Sequence, residues 1–205
     1  MSMLANDSGY LELFIGPMFS GKTTKLLEIY KQYTFCNSEV VVINHSSDNR
    51  YSDTMLSTHD KTMIPCLNII KLMDLFKYSP FLDIHIEKSD VILINEGQFF
   101  EDLYEFVSHC LREKKKIYVC GLDGDFQRKK FGQILDLIPL CDKVTKLKSL
   151  CGICKNGSPG IFSLRLTKES CQTLIGSSNY IPVCRSCYEE NIIGEENKED
   201  IILDL

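Results

Sequence analysis

Short, almost continuously apolar runs alternate with longer segments of mixed polarity along the first two thirds of the chain. Four of these runs predict strands, and they cover residues 11–15, 40–43, 91–94 and 117–120. Continuous runs, in contrast to alternating ones, are typical of strands that are covered on both faces. The pattern therefore predicts an α/β fold with a parallel sheet flanked by helices.

The segments between these runs carry apolar side chains at helical spacing. Residues 22–35 and residues 102–113 have apolar positions three and four residues apart, which places them on one face of a helix. Residues 68–76 predict a further, shorter helix. Helices between strands in this order are what a parallel sheet requires for its crossover connections.

The pattern changes near Lys148, after which the chain is rich in Gly, Ser and Cys. Short apolar pieces such as residues 161–164 predict small strands there. We therefore predict a larger domain over residues 1–147, a small C-terminal domain over 148–192, and an acidic mobile tail over 193–205.

Composition narrows the class of protein. The 205 residues suit one domain with a small appendage, and 23 basic against 28 acidic residues give a net charge of −5. This balance argues against broad, non-specific binding of nucleic acid. No apolar run reaches the roughly 18 residues of a membrane span, and no secretory signal is visible. We therefore expect a cytoplasmic protein whose ten cysteines are reduced, and no membrane partner.

Residues 16–23, Gly-Pro-Met-Phe-Ser-Gly-Lys-Thr, match the phosphate-binding P-loop pattern. In such a loop the backbone N–H groups point at phosphate oxygens, Lys22 adds a positive charge, and Thr23 offers a hydroxyl to Mg²⁺. The alternative is a glycine-rich turn with an accidental lysine. The loop follows a predicted strand and precedes a predicted helix, and this context favours the P-loop.

The third predicted strand is followed by Asn95, Glu96, Gly97 and Gln98. P-loop enzymes usually have an Asp at such a strand end, where it orients the metal opposite the P-loop hydroxyl. Asn95 stands at that position, and Glu96 is placed to take a proton from an attacking hydroxyl. The alternative for Glu96 is an exposed loop carboxylate.

Two Cys-x-x-Cys pairs in the C-terminal segment supply four thiolates, the ligand set of a structural Zn²⁺. Their separation exceeds the common spacing of roughly 15–20 residues, so a hairpin or loop must lie between them. Buried thiols and a redox motif are the alternatives. The pairs are Cys151 with Cys154 and Cys184 with Cys187. The other six cysteines predict small core residues or incidental thiols, and they are Cys36, Cys66, Cys110, Cys120, Cys141 and Cys171.

Together these motifs resemble those of type II thymidine kinases, the cytosolic and viral family. The resemblance extends over about residues 11–188 and rests on several stretches. These are the P-loop, Asp48-Asn-Arg50-Tyr51 with Ser57-Thr-His59, residues 95–100 and 122–132, and the two cysteine pairs with Tyr180 ahead of the second.

The resemblance implies transfer of the γ-phosphoryl group of ATP to the 5′-hydroxyl of thymidine, a salvage step that supplies DNA synthesis. It implies Glu96 as the catalytic base, Zn²⁺ on the four paired cysteines, and Mg²⁺ on Thr23 together with ATP. The implied residues around ATP and its phosphates are Gly16, Pro17, Met18, Phe19, Ser20, Gly21, Lys22, Thr23, Asp48, Arg50, Asn95 and Gln98.

The resemblance also implies a nucleoside pocket with aromatic and apolar walls, closed by a lasso loop that reads thymine through backbone hydrogen bonds. The wall residues would be Met18, Phe99, Leu122, Phe126 and Phe131. The lasso would be Gln172, Thr173, Leu174, Ile175 and Gly176, supported by Ser163, Arg165 and Tyr180. A homotetramer and feedback inhibition by dTTP are further implications.

Asn95 departs from the family pattern, which has Asp at this position. Because Asn keeps a carbonyl oxygen but lacks the charge, we expect weaker Mg²⁺ binding and an active kinase with a higher Mg²⁺ requirement. Two other functions stay open at this point. One is a catalytically weakened homologue that senses nucleotides, and the other is a P-loop ATPase whose zinc ribbon binds nucleic acid.

Overall fold

The computed structural model describes residues 8–47, 55–57, 62–78, 86–174 and 176–191. Within these ranges the strands are β1 Tyr10–Ile15, β2 Val40–His45, β3 Met55–Ser57, β4 Met63–Pro65, β5 Leu67–Ile69, β6 Val91–Ile94, β7 Lys116–Gly121, β8 Lys143–Lys146, β9 Ser149–Leu150, β10 Pro159–Gly160, β11 Phe162–Arg165 and β12 Tyr180–Val183. The α-helices are α1 Lys22–Phe35, α2 Asp74–Tyr78 and α3 Leu103–Arg112, and residues 185–191 are also helical.

The central sheet has six strands in the order β5-β2-β6-β7-β1-β8. Every neighbouring pair in it is parallel, from β2 with β5 at one edge to β1 with β8 at the other. The predicted α/β fold with a parallel sheet flanked by helices is therefore confirmed, and the four predicted strands form its centre.

Two apolar clusters cover the two faces of this sheet. Successive strand residues alternate between them, as Leu13 packs in the first cluster and Phe14 in the second. The first cluster includes Phe106 of α3, and the second includes Leu26 of α1. Because both faces are covered, both sets of side chains must be apolar, which explains the continuous runs in the sequence.

The short helix predicted over residues 68–76 is wrong in its first half. Leu67–Ile69 instead forms the edge strand β5, in register with Ile43 to His45 of β2, and the helix begins only at Asp74. The hydrogen bonds of a parallel pairing decide the conformation here, since three residues of mixed polarity carry no clear local preference. The Asp102 carboxylate accepts the backbone N–H groups of Leu72 and Met73, which fixes the chain just ahead of α2.

The C-terminal ribbon consists of two antiparallel strand pairs, β9 with β10 and β11 with β12, followed by the helical residues 185–191. It has a small apolar cluster of its own, which includes Val183, Tyr188 and Phe162 beside the paired cysteines. The predicted tail over residues 193–205 lies outside the described residues, and the domain boundaries stay a prediction.

The loops that follow β1, β6 and β7 meet at one edge of the sheet, because the carboxyl ends of parallel strands point the same way. Gly16, Asn95 and Leu122 directly follow these three strands. Ligands of open α/β sheets bind at this edge. In the part of the chain that the structure covers, we find no helix with the length and apolar character needed to cross a bilayer.

Candidate active site

The glycine-rich loop joins β1 to α1 and wraps tightly around the Lys22 side chain. Gly16 has φ 148°, and a Cβ atom there would lie 2.4 Å from the carbonyl oxygen of Leu147, so this position requires glycine. Nζ of Lys22 donates to the carbonyl oxygens of Gly16 at 3.1 Å and Pro17 at 2.6 Å. The loop thus has the strand–loop–helix context of a P-loop, with its lysine buried inside it.

Thr23 and Asn95 present oxygen atoms to each other across the start of α1. Thr23 Oγ1 lies 3.4 Å from Asn95 Oδ1, and the backbone N–H of Asn95 donates to the carbonyl oxygen of Ile43 at 2.8 Å. Mg²⁺ takes hydroxyl and carbonyl oxygens as ligands, so this pair fits a Mg²⁺ site, although neither side chain carries a charge. Asp48 and Arg50, which the resemblance places nearby, lie outside the described residues.

Glu96 is held in an uncommon backbone conformation, with φ 52° in the left-handed region. Its Oε2 accepts a hydrogen bond from Nε2 of Gln98 at 2.6 Å, and Oε1 of Gln98 accepts the backbone N–H of Leu122 at 2.9 Å. Gln98 is buried beside two glycines, since a Cβ at Gly121 or Gly132 would lie 2.5 Å or 2.0 Å from its atoms. Gln98 therefore ties the Glu96 carboxylate to the end of β7.

An open cleft runs along this edge of the sheet. The predicted residues that line it are Met18, Phe19, Ser20, Gly21, Lys22, Thr23, Glu96, Gln98, Phe99, Leu122, Phe126, Phe131, Ser163, Gln172, Thr173, Leu174, Gly176 and Tyr180. Gly16, Pro17, Asn95 and Arg165 are not among its lining residues, and Ile175 lies outside the described ones. Thr24 and Ser47, which the sequence did not single out, also line the cleft, as do Ser57, Gly124 and Asp125, which lie in the stretches that carry the resemblance but had no site role assigned to them.

Aromatic side chains form one wall of the cleft. The rings of Phe99 and Phe131 meet edge to face, with centroids 5.5 Å apart and planes at 90°. The ring of His45 also contacts Phe99, with centroids 5.5 Å apart. An edge-to-face pair leaves a ring face open, and such a face suits a planar base.

Arg165 organises the segment that was predicted as a lasso. Its guanidinium donates to the carbonyl oxygens of Glu169, Cys171 and Gln172 and to the hydroxyl oxygen of Tyr180. The same guanidinium lies 3.7 Å from the ring centroid of Phe126. Arg165 thus joins the lasso to the cleft wall through a cation–π contact, although its own side chain stands behind the cleft.

Two hydrogen bonds connect the ribbon and lasso to the sheet side of the cleft. Ser163 Oγ accepts the backbone N–H of Met18 at 3.0 Å, and Nε2 of Gln172 donates to Asp125 Oδ2 at 2.8 Å. The other oxygen of Asp125 accepts the backbone N–H groups of Gln127 and Lys129 at 2.9 Å each. The cleft is therefore closed on one side by polar contacts between distant parts of the chain.

The two predicted cysteine pairs come together in the ribbon. The Sγ atoms of Cys151, Cys154, Cys184 and Cys187 all lie within 4.8 Å of one another. Four sulfurs around Zn²⁺ at about 2.3 Å sit about 3.8 Å apart, so this set fits a tetrahedral site. Burial raises the pKa of Cys151, but hydrogen bonds from backbone groups of Cys184, Cys154 and Ile153 outweigh it and lower the pKa to about 6. Burial and hydrogen bonds with the neighbouring thiols raise the pKa of Cys187 to about 12, so Cys151 ionises ahead of Cys187 within one coupled set.

A buried lysine inside a glycine-rich loop, a hydroxyl on the first turn of the next helix and a glutamate at a neighbouring strand end are features of a P-loop nucleotide-binding protein. A family model described as thymidine kinase matches residues 9–188. The chain belongs to the thymidine kinase family.

Named relatives agree with this membership. The chain is 42% identical over 201 residues to a thymidine kinase of Oryza sativa subsp. japonica, which covers 96% of this chain and 72% of the relative. It is 44% identical over 184 residues to a thymidine kinase of Variola virus (isolate Human/India/Ind3/1967), and 42% identical over the same length to one of Monkeypox virus. Each viral match covers 89% of this chain and 98% of the relative.

Proposed function

We propose that this protein is a thymidine kinase that transfers the γ-phosphoryl group of ATP to the 5′-hydroxyl of thymidine. One observation carries the proposal: the P-loop, Glu96, the aromatic wall and the lasso residues all line the same cleft. The matched relatives bear the name thymidine kinase. Because phosphate-loop residues and aromatic residues line the same cleft, it can hold a phosphate group and a planar base at once.

At the phosphate end, the loop N–H groups and Lys22 bind the ATP phosphates. In the structure Nζ of Lys22 donates to loop carbonyl oxygens, which holds the ammonium group in place before a phosphate arrives. Thr23 and Asn95 would hold Mg²⁺, which when bound neutralises phosphate charge. Phosphoryl transfer depends mainly on positioning and charge, and these residues supply both.

In the middle of the cleft, Glu96 takes the proton of the thymidine hydroxyl as that oxygen attacks the γ-phosphorus. Gln98 holds one of the two carboxylate oxygens through a 2.6 Å hydrogen bond, so the carboxylate cannot rotate freely. The left-handed backbone at Glu96 costs free energy, and residues held this way often serve a site. These contacts support Glu96 as the general base.

At the far end, Phe99, Phe131 and Phe126 border the base and the deoxyribose, with Met18 and Leu122 beside them. The lasso residues 172–176 read the edge of thymine through backbone groups, and Arg165 holds the start of that segment by three carbonyl hydrogen bonds. Ring faces and backbone amides are the means by which apolar pockets select a planar base.

The same cleft supports regulation by the end product. Because dTTP carries the base of thymidine and the triphosphate of ATP, it fits both ends, and we expect it to inhibit competitively. The homotetramer rests on the resemblance, and the cytoplasmic location rests on the sequence pattern. Light scattering of the purified protein and localisation of the tagged protein test them.

The experiment that tests the proposed function is phosphorylation of each natural nucleoside with ATP and varied Mg²⁺, for the wild type and Glu96→Gln. We expect thymidine to be the preferred acceptor and Glu96→Gln to lower kcat by about 10²- to 10⁴-fold. Glu101→Gln, a change of the same kind at an exposed position nearby, is the matched control. Wild-type kcat in Glu96→Gln would refute the assigned base, and thymidine binding without turnover at saturating Mg²⁺ would favour a sensor.

A further inference from the structure

Three asparagine side chains form a hydrogen-bonded row behind the phosphate end of the cleft. Nδ2 of Asn95 donates to Asn44 Oδ1 at 2.9 Å, and Nδ2 of Asn44 donates to Asn68 Oδ1 at 2.9 Å. We call Asn95, Asn44 and Asn68 the amide row. The sheet places them side by side, because Asn44 and Asn68 are paired residues of β2 and β5 and Asn95 directly follows β6.

The first two members of the row are buried, with 2% of Asn44 and 2% of Asn95 exposed to solvent. A carboxamide in such a place needs protein partners for both its carbonyl oxygen and its NH₂ group. Apolar residues would fit these positions in the core as well. The role of this buried row of polar groups must therefore be sought in the site that it borders.

The row has a direction. A carboxamide has an acceptor on one side and a donor on the other, so each partner decides which way its neighbour faces. Asn95 turns its carbonyl oxygen to Thr23 and its NH₂ group to Asn44. Asn44 accepts that NH₂ group with its Oδ1 atom, and the bond from its own NH₂ group to Asn68 Oδ1 favours this orientation of the side chain. If Asn95 turned over, its NH₂ group would face Thr23 and its carbonyl oxygen would face another carbonyl oxygen.

We propose that Asn44 is a positioning residue for the metal–nucleotide site, and this rests on the proposed function insofar as Thr23 and Asn95 hold Mg²⁺ with ATP. Asn44 keeps the carbonyl oxygen of Asn95 directed to Thr23, and Asn68 sets the orientation of Asn44. A divalent cation takes oxygen ligands and rejects an NH₂ group. The amide row thus gives a neutral side chain the orientation that a carboxylate, with two equivalent oxygens, would not need.

The test compares Asn44→Leu, which removes the acceptor, with Asn44→Asp, which keeps an acceptor for Nδ2 of Asn95. For the full chain, calorimetry gives the Kd of ATP in EDTA and the Kd of ATP at saturating Mg²⁺, both without thymidine. The Kd in EDTA divided by the Kd at saturating Mg²⁺ measures how much the metal strengthens ATP binding. We expect Asn44→Leu to lower this ratio about five- to tenfold, the effect of one net hydrogen bond, and Asn44→Asp to retain it.

A merely structural role would change both Kd values together and leave their ratio unchanged, which would overturn the proposal. An equal loss of the ratio in Asn44→Leu and Asn44→Asp would overturn it as well, because the acceptor would then be irrelevant. If Asn44→Leu does not fold, Asn68→Leu takes its place, with a smaller loss expected in the same direction. An unchanged ratio in Asn68→Leu would then count against the row.

The same measurements separate this inference from the proposed function. Calorimetry needs no turnover and no nucleoside, so it reads the metal–nucleotide site alone. A wild type that fails to phosphorylate thymidine but shows the expected ratios would refute the proposed function and support the amide row. A wild type that phosphorylates thymidine while Asn44→Leu keeps the wild-type ratio would do the reverse.

Discussion

At the scale of single residues, Asn95 is where this chain departs most from what its site requires. The side chain offers Mg²⁺ a carbonyl oxygen but no charge, and Thr23, the oxygen opposite, is neutral too. In a partly buried site, a charge so close to a divalent cation contributes strongly to binding. We therefore expect this residue to set how much free Mg²⁺ the enzyme needs.

The first prediction concerns this charge. Asn95→Asp should lower the Mg²⁺ concentration for half-maximal thymidine phosphorylation by about three- to tenfold, because a carboxylate replaces a neutral ligand. Asn37→Asp adds the same charge at an exposed position just after α1 and should leave the Mg²⁺ dependence unchanged. Initial rates across a Mg²⁺ titration decide the matter, and identical curves for Asn95→Asp and the wild type would contradict the assigned role.

Sequence reasoning reached those residues whose environment is local. The P-loop could be predicted because its spacing and its strand–loop–helix context lie within a few neighbouring residues. Asp125 could not, since its partner Gln172 is 47 positions away and only the fold brings the two together. The amide row could not be predicted for the same reason, because asparagines far apart in the sequence do not indicate a contact until strand pairing aligns them.

At the scale of elements, the lasso contacts the sheet side of the cleft through few polar groups. Arg165 fixes its start, and the bond from Gln172 to Asp125 joins it to the loop after β7. Segments held by so few contacts open more easily than the sheet does. We therefore expect a nucleoside to enter when this bond breaks and to be retained when it forms.

The second prediction tests this contact. Gln172→Met keeps the length of the side chain but cannot donate to Asp125, so it should raise the KM for thymidine about three- to tenfold and leave the KM for ATP unchanged. Gln127→Met, at an exposed position of the same loop as Asp125, serves as the control. Steady-state kinetics with each substrate varied will show whether only thymidine is affected. Equal KM values for Gln172→Met and the control would rule out the contact as a determinant of nucleoside binding.

The sequence predicts the four central strands of the sheet but neither of its two edge strands, β5 and β8. Both faces of β6 and β7 are buried, and their continuous apolar runs predict this burial. β8 has three exposed residues out of four, and β5 is only half-buried, so neither carries such a run. Their conformation comes from pairing with β1 and β2, which the sequence alone does not display.

At the scale of the whole molecule, the ribbon has too small an apolar cluster to hold its shape unaided. Its described core consists of Val183, Tyr188 and a few partly buried neighbours around the four cysteines. Small units of this kind depend on a bound metal for much of their stability. We therefore expect the lasso end of the cleft to depend on the cysteine cluster, although the cluster does not line it.

The third prediction follows from this dependence. Cys187→Ser removes one ligand, so it should lower the zinc content and raise the KM for thymidine while the parallel sheet stays folded. Cys36→Ser changes an exposed cysteine outside the cluster and should leave both unchanged. Zinc analysis, kinetics and thermal unfolding provide the measurements. A zinc-free Cys187→Ser protein with wild-type nucleoside affinity would show that the ribbon does not support the lasso.

The hydrogen bond from Met18 to Ser163 has a consequence for how the molecule is made. These two residues are 145 positions apart, so the bond closes one of the longest loops that the described chain contains. Contacts of such high sequence separation form late in folding, because the entropy of loop closure must be overcome first. During synthesis the phosphate loop emerges long before its ribbon partner. We therefore expect a growing chain to pair the central strands β1, β2, β6 and β7 before β8 and Ser163 have emerged, and so before it can retain a nucleoside.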